Sequence, residues 1–272
     1  PVSIDEFRFG VAETYDVVVE PENKAYTISA EPIDRTGFAL GTLATEIGMR
    51  GDLPTHRPRT TLTMSDMGMD HSSHSGHSMD HSQMNHKEHK MSDDKMARGW
   101  KNANTPAGHK ALSYKDLVYL GTQTKIEKPD REIEMRLGGN MERYIWTLNG
   151  KRHQDSGPIN IKYGQRVRIK FINDTMMAHP MHLHGMFVQI ENGQTPEKRP
   201  NKHTIIIPPG ETYSVLITAD EPGGWAFHCH LLYHMLSGMM TTVIVTTPGD
   251  VTGVDARNTN SEAISGGHHH VH

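Results

Sequence analysis

Several common features are missing from this sequence, and each absence excludes a class of protein. The 272 residues include one cysteine, Cys229, so no disulfide can form within the chain. No apolar run approaches the roughly 18 residues that a membrane-spanning helix needs, and we expect no membrane span. The 28 basic and 32 acidic side chains nearly balance, and the basic residues form no dense patch. We therefore expect no nucleic-acid partner.

The one cysteine lies in a segment that is rich in metal-binding side chains. Cys229 stands between His228 and His230, and His234 and Met239 follow shortly after. Copper prefers a soft thiolate, imidazoles and a thioether, and two histidines, one cysteine and a weak axial methionine are the pattern of a blue-copper site. This segment supplies one histidine, the cysteine and the methionine, so a second histidine must come from elsewhere in the chain.

Residues 179–185, His-Pro-Met-His-Leu-His-Gly, are the candidate source of that histidine. Side chains alternate between the two faces of a strand, so Cys229 would point away from the face that its two histidine neighbours share. Two such strands side by side would form two compartments. The first would hold His179, Cys229, His234 and Met239, and the second would hold His182, His184, His228 and His230.

These two motifs resemble the third and fourth copper-binding motifs of the multicopper oxidases, and the surrounding chain resembles their bacterial copper-resistance branch. The resemblance implies an all-β fold, a cupredoxin-like Greek-key β-sandwich, with copper as the cofactor. By motif position it implies type 1 copper on His179, Cys229, His234 and Met239, type 2 copper on His182, and binuclear type 3 copper on His184, His228 and His230.

The resemblance also implies a copper-dependent oxidase that serves copper resistance in the periplasm. It would take single electrons at type 1 copper, from Cu(I) or else from a phenolic donor. Cys229, His228 and His230, which we take as the catalytic residues, would carry them to a trinuclear cluster that reduces O₂ to water. The expected partners are therefore the electron donor, O₂ and the N-terminal domains of the same protein.

Two departures from the family pattern qualify this interpretation. The trinuclear site of the family uses eight histidines, and the motifs found here supply four of them. We therefore expect this chain alone to build type 1 copper but to lack the first-domain ligands that turnover needs. In addition, Met235 stands where some relatives place a carboxylate that assists proton delivery.

Composition divides the chain into four parts. Residues 1–49 are predicted to be the last strands of a truncated cupredoxin domain, including strands at Tyr15–Val19 and Tyr26–Ala30. Residues 50–110 form a low-complexity linker that cannot bury enough apolar surface to order itself. Residues 111–248 are predicted to be a complete sandwich that opens at Leu117–Leu120, with a hairpin turn at Asn149-Gly150. Residues 249–272 are predicted to be a flexible tail.

The linker is unusually rich in methionine and histidine. Thioethers select Cu(I) and imidazoles accept either oxidation state, so we expect Cu(I) capture or delivery. The alternative is a solvated connector whose composition is incidental. The candidate ligands are Met64, Met67, Met69, His71, His74, His77, Met79, His81, Met84, His86, His89 and Met91.

Three functions remain open from the sequence. The first is a fragment of the copper-resistance oxidase described above. The second is a stand-alone blue-copper electron-transfer or copper-sequestering protein that does not reduce O₂. The third is an oligomeric two-domain oxidase that completes its cluster between subunits. His153 and His203 are interpreted as ordinary structural or surface histidines, and Trp225 as a core residue.

Overall fold

The computed structural model describes residues 1–33, 35–55, 105, 108–140 and 142–249. The candidate Cu(I)-capture residues between Met64 and Met91, and the histidines that end the chain, lie outside the described residues. We number the strands in chain order. They are β1 Tyr26–Ala30, β2 Ala39–Leu43, β3 Arg131–Asn140, β4 Ile145–Leu148, β5 Ile159–Lys162, β6 Arg166–Asn173, β7 His179–Leu183, β8 Val188–Ile190, β9 Asn201–Lys202, β10 Thr204–Ile207, β11 Thr212–Thr218, β12 Gly223–Cys229 and β13 Met240–Thr246.

Eleven of these strands form two sheets. One sheet has the order β10-β7-β12-β13-β5, and the other has the order β4-β3-β6-β11-β8-β9. The pairs β13–β5 and β3–β6 are parallel, and the remaining pairs in the two sheets are antiparallel. Neighbours in each sheet are often distant in sequence, as in a Greek key. The predicted all-β sandwich of the cupredoxin kind is confirmed.

The core lies between the two sheets, and β6 shows how the sequence produces it. Val167, Ile169 and Phe171 alternate along this strand with Arg168 and Lys170. The three apolar side chains are fully buried and belong to one core cluster, while the basic side chains point away from it. Period-two alternation therefore places one face of the strand against the opposite sheet. Across the core, the partners from the other sheet include Met181, Leu183, Phe227 and Val243.

Helical structure is short in the described part of the chain. One α-helix, α1 Leu232–Leu236, follows β12, and 3₁₀ turns occur at Tyr114–Asp116, His153–Asp155 and Pro196–Lys198. None of the helices described here has the length and apolar character that crossing a bilayer would require.

The predicted turn at Asn149-Gly150 is confirmed. Both residues have positive φ values, 51° and 75°, as a type I′ turn requires. The Asn149 side chain accepts a hydrogen bond from the Arg136 backbone N–H at 2.7 Å and donates one to the Glu134 carbonyl at 3.0 Å. The asparagine therefore joins this turn to strand β3.

Two predicted strands are wrong. Tyr15–Val19 and Leu117–Leu120 pair with no strand in the described ranges. Val18 is 82% exposed and Leu120 is 86% exposed, and only Tyr15 and Leu117 of the two runs pack, partly buried, against the core cluster. Aromatic and β-branched content favours a strand only where a pleated, half-buried surface is available. The prediction at Tyr26–Ala30 is confirmed, since it is β1 and pairs with β2.

Residues 5–15, which we call the N-terminal segment, pack against the sandwich beside β10. Glu6 forms a β-bridge with Ala111. Gly10 lies so close to the sheet that an added Cβ atom would come within 2.8 Å of the Pro180 Cβ and 2.9 Å of an Ile206 carbon. The division of the chain into domains stays a prediction, but this segment contacts the C-terminal sandwich directly.

Candidate metal centre

Strands β7 and β12 lie side by side at the centre of the five-stranded sheet and carry most of the predicted site. They are antiparallel, with His182 opposite His228 and Cys229 opposite Met181. Just beyond the paired residues, the His230 backbone N–H donates a hydrogen bond to the Pro180 carbonyl at 2.7 Å. Because side chains alternate, this register puts His182 and His228 on one face and Cys229 on the other.

On the Cys229 face, three donor atoms converge. Cys229 Sγ lies 3.7 Å from His179 Nδ1 and 3.8 Å from His234 Nδ1, and the two nitrogens are 3.1 Å apart. In the part of the chain that the structure describes, these are the one group of three such donors whose atoms all lie within 4.8 Å of one another. We call this group, together with Met239, the first set.

Helix α1 places His234 next to the end of strand β12. The His234 N–H donates to the Leu231 carbonyl at 2.9 Å, and the Met239 N–H donates to the His234 carbonyl at 2.9 Å. The Cys229 N–H in turn donates to the Met239 carbonyl at 3.0 Å. The loop is therefore closed by backbone hydrogen bonds, and the Met239 side chain that it carries is completely buried.

Two neighbours hold the histidines of the first set. The Thr175 hydroxyl donates to the Asn173 side-chain oxygen at 2.8 Å, so it can accept a hydrogen bond from His179 Nε2–H, 2.7 Å away. That arrangement leaves the lone pair on His179 Nδ1 facing the sulfur. The Trp146 indole stacks on the His234 ring at 3.9 Å between centroids and contacts the His179 ring edge-on at 5.2 Å. The ring orientations are thus set by contacts outside the first set.

Burial determines the charge of the first set. It lowers the pKa of His179 to about 3, with a further contribution from the neighbouring His234, and lowers the pKa of His234 to about 4. Burial also raises the pKa of the Cys229 thiol to about 12. At neutral pH the site therefore presents two neutral imidazoles and a thiol to one point. A metal ion would displace the thiol proton, since metals bind thiolate.

On the opposite face, four histidines form the second set. Ring centroids lie 4.7 Å apart for His182 and His184, 5.4 Å for His182 and His230, and 5.3 Å for both His184–His228 and His228–His230. His184 Nε2 and His228 Nε2 are 3.1 Å apart. His184 is exposed, His182 and His230 are half-buried, and His228 is buried. This set therefore lies open on one side.

Backbone and hydroxyl oxygens orient the rings of the second set. His228 Nδ1 lies 3.0 Å from the Cys229 carbonyl, so Nδ1 carries the proton and Nε2 keeps a lone pair that could bind a metal. His182 Nδ1 lies 2.9 Å from both the His203 carbonyl and the Thr204 hydroxyl. Burial lowers the pKa of His182 to about 4 and also lowers that of His228. Both rings are therefore neutral and suited to bind a metal.

Gly185 ends the first motif for a steric reason. Its φ is +73°, and a Cβ atom at this position would overlap the ring of Trp225. Any other residue would thus push the chain away from the tryptophan and shift His184, which comes immediately before. The Trp225 ring is half-buried against the core cluster, as predicted, and its indole N–H donates to the Glu221 carbonyl at 2.9 Å.

Comparison with known proteins identifies the region that carries both sets. Residues 127–249 match the family model described as Multicopper oxidase. This part of the chain belongs to the multicopper oxidases. The chain is 40% identical over 302 residues to Copper resistance protein A of Escherichia coli, covering 90% of this chain and 50% of that protein. It is 41% identical over 295 residues to the Copper resistance protein A homolog of Pseudomonas syringae pv. tomato, covering 90% and 48%.

The chain spans about half the length of these two curated relatives. Among solved structures, it is similar to the McoA multicopper oxidase of Aquifex aeolicus, with 26% identity and a TM-score of 0.39 over 46% of this chain and 31% of that one. The assignment to the family rests on the family model and the curated relatives, and the fold rests on the strand pairing above.

Copper is the cofactor of this family, and the first set fits it. Metal–nitrogen bonds of about 2.0 Å and metal–sulfur bonds of about 2.3 Å place two nitrogens about 3 Å apart and a nitrogen and sulfur about 3.7 Å apart. The observed 3.1, 3.7 and 3.8 Å agree with three ligands around one ion. The mixture of thiolate and imidazole is the one that copper favours.

Four residues next to the predicted copper ligands were missed or given other roles from the sequence. Thr175, Trp146, His203 and Thr204 all contact predicted ligands. His203 was interpreted as an ordinary histidine, yet its carbonyl reaches His182. Thr204 lies directly opposite His182 in the β10–β7 pair, which only the strand register reveals. Motif spacing carries no signal for such cross-strand contacts.

Proposed function

We propose that this chain is part of a copper-dependent oxidase that serves copper resistance, and that electrons enter it at the first set. The observation that carries the proposal is the convergence of His179 Nδ1, His234 Nδ1 and Cys229 Sγ within 3.8 Å of one another. Two relatives of the chain are named copper resistance protein A or its homolog, which supports the same role.

In this proposal the two sets hold different copper ions. His179, Cys229 and His234, with Met239 as a weak axial ligand, would hold type 1 copper. His182 would be a type 2 ligand, and His184, His228 and His230 would be type 3 ligands, completed by histidines beyond these two motifs. When bound, copper would supply one-electron redox chemistry at the first set and reduction of O₂ to water at the second.

Cys229 and its two neighbours join the sets through covalent bonds. The sulfur belongs to the first set, while His228 and His230 are attached through the adjoining peptide units and belong to the second. The hydrogen bond from His228 Nδ1–H to the Cys229 carbonyl, at 3.0 Å, adds a shorter connection. These residues therefore offer the most direct bonded path for single electrons between the two faces of the sheet.

We further propose Cu(I) as the electron donor, with a phenolic compound as the alternative. His234 is buried, but the helix that carries it exposes Leu232, Tyr233 and Leu236. A donor would thus approach the first set over this apolar helix surface. Oxidation of Cu(I) to Cu(II) at this point would serve copper resistance, and the periplasm is the compartment that such chemistry suits.

Proton supply follows another route than in some relatives. Met235 follows His234 on α1, and its thioether can neither donate nor accept a proton in the way that a carboxylate does. The protons that O₂ reduction consumes would therefore reach the second set without help from this position.

The test is spectroscopic. The copper-loaded chain should show an intense blue absorption from the thiolate–copper pair, and Cys229→Ser should abolish it, because the hydroxyl is not a soft ligand. Cys229→Ser should leave the second-set histidines in place. Persistence of the blue absorption in the variant would exclude Cys229 as a ligand and with it the proposed electron entry point.

A second candidate function is one-electron transfer or copper sequestration without O₂ reduction. One observation favours it, because among the described residues three donors converge on a single point only in the first set. Oxygen uptake separates the two. An oxidase supplied with its full set of histidines consumes O₂ steadily when Cu(I) is added, whereas an electron carrier accepts one electron per first set and consumes none.

A further inference from the structure

Strand β10 lies at the edge of the five-stranded sheet, next to the strand that carries His182. Thr204 is opposite His182 in this pair and is completely buried. Its hydroxyl lies 2.9 Å from His182 Nδ1, and the carbonyl of the preceding residue, His203, lies at the same distance. Two oxygens therefore meet one ring nitrogen of a proposed copper ligand.

The two oxygens together favour a proton on Nδ1 of His182. A carbonyl can only accept a hydrogen bond, so a lone pair on Nδ1 would face a second lone pair at 2.9 Å. His182 therefore donates from Nδ1–H to both oxygens. Its Nε2 is then left unprotonated on the side of the second set, where the rings of His184, His228 and His230 lie within 5.5 Å of its centroid.

The Thr204 hydroxyl is itself held in place by His203. His203 Nδ1 lies 3.0 Å from Thr204 Oγ1, and His203 Nε2 lies 3.2 Å from the hydroxyl of Thr14 in the N-terminal segment. A single set of protons satisfies every bond. Thr204 donates its O–H to His203 Nδ1, and His203 donates its Nε2–H to Thr14. The contacts form one directional chain from His182 to the N-terminal segment.

A buried ion pair holds the two residues at the outer end of this series of hydrogen bonds, Thr14 and His203. Glu13, next to Thr14, has a fully buried side chain and pairs with Lys202, next to His203, at 2.9 Å. The same carboxylate accepts a hydrogen bond from the Tyr114 hydroxyl at 2.7 Å, and Lys202 donates to the Thr14 carbonyl at 3.1 Å. Leaving either charge without its partner in the protein interior is costly, so Thr14 and His203 are kept in register.

We propose that Thr204 and His203, held by the N-terminal segment, are positioning residues that fix the orientation of His182. The inference rests on the proposed function for the metal that His182 would hold, but the hydrogen-bond chain can be measured without copper. His228 uses the carbonyl of its own neighbour for the same purpose. His182 depends instead on a different strand and on the N-terminal segment, whose Thr14 precedes it by 168 residues in sequence.

Thr204→Val is the decisive variant, because it keeps the side-chain volume and removes the hydroxyl. Two-bond ¹⁵N–¹H spectra of the metal-free chain, assigned with His182→Gln, report the tautomer of His182. The wild-type ring should be protonated at Nδ1, with slow exchange of that proton. Thr204→Val removes one of the two acceptors, so it should speed the exchange of this proton and populate the second tautomer in part. Thr204→Ser, which keeps the hydroxyl, should behave as the wild type.

A Zn(II) titration read at the His182 ring signals gives a second readout at the same residue. Contacts that orient a metal-binding histidine are typically worth about 10- to 100-fold in affinity, so the midpoint should rise about tenfold in Thr204→Val. His203→Ala should shift it in the same direction. Thr242→Val, on β13 opposite Ala226 in the same sheet, is the matched control and should leave the midpoint unchanged.

Packing loss alone predicts the opposite order of variants. Thr204→Ser removes a buried methyl group and Thr204→Val does not, so a purely structural role would make the serine variant the worse one. An unchanged tautomer and an unchanged Zn(II) midpoint in folded Thr204→Val would overturn the proposal. A copper-loaded chain without blue colour would refute the proposed function and leave these measurements intact, so the two failures are distinguishable.

Discussion

The two sets of histidines come from the same pair of strands, yet they are completed in different ways. The first set is closed by helix α1 and buried beneath it, and its three donor atoms already converge. The second set stands half open, with His184 exposed and ring centroids about 5 Å apart. The difference shows that a short local loop brings the donors of one set together, whereas the two motifs alone leave the other set open on one side.

Removing one histidine from each set in turn should produce the largest difference in the blue absorption. His234→Ala removes a donor of the first set and should abolish the blue absorption of the copper-loaded chain. His184→Ala removes an exposed donor of the second set and should leave that absorption intact. Visible spectra of both variants check this, and equal losses would show that the sets are not separate sites.

Trp146 should matter more for the first set than for the second, because its buried ring stacks on His234. Trp146→Ala should lower the free energy of unfolding by about 3–5 kcal/mol, as expected for a large buried aromatic residue. Trp146→Phe should keep the fold and shift the reduction potential of bound copper.

Thermal melting and redox titration measure both effects of the Trp146 variants. Trp225→Phe is a suitable control, because Trp225 is half-buried beside Gly185 and away from the first set. If the reduction potential were unchanged in Trp146→Phe, the stacking of Trp146 on His234 would have no part in setting it.

Acid should destabilise the metal-free chain through the first set. Burial holds the pKa of His179 at about 3 and that of His234 at about 4, below the ordinary value of 6.5. The unfolded chain therefore binds more protons between these values, and the free energy of unfolding should fall as pH drops from about 6.5 towards 4. Each histidine contributes up to about 1.4 kcal/mol per pH unit, so the two together should give a slope of about 2 to 3 kcal/mol per pH unit.

Urea unfolding at several pH values checks the acid response. His179→Asn and His234→Asn should each flatten the slope, because each removes a group that protonates on unfolding. His109 is exposed and belongs to neither set, so His109→Asn supplies the control, and an equal flattening there would contradict the assignment.

The smallest expected effect concerns Thr175, whose hydroxyl contacts His179 Nε2 at 2.7 Å. Thr175→Val should free the ring to change tautomer and weaken copper binding at the first set by about tenfold. Competition with a copper chelator, followed by the blue absorption, measures this change. Thr175→Ser should restore wild-type affinity, and failure of that rescue would point to packing instead of the hydrogen bond.

The sequence predicted the parts of this molecule that depend on local pattern. Alternation along β6 agrees with its buried face, and the separation of Cys229 from His228 and His230 follows from the same period of two. Asn149-Gly150 predicted its turn because both positions need positive φ. Each of these outcomes depends on neighbouring residues alone.

The remainder depends on contacts between distant residues. Tyr15–Val19 has strand-forming composition but no partner strand in the described ranges, so the prediction was wrong there. The pairing of Thr204 with His182 requires the register of β10 on β7, and the buried Glu13–Lys202 pair requires the N-terminal segment to fold back. Spacing within motifs cannot encode either contact.

Anomalous diffraction from crystals of the copper-loaded chain would show directly which side chains hold the ion. We expect a copper peak within bonding distance of His179 Nδ1, His234 Nδ1 and Cys229 Sγ, on the face of β12 opposite to His228 and His230. Copper bound elsewhere, with that position empty at full loading, would contradict this expectation.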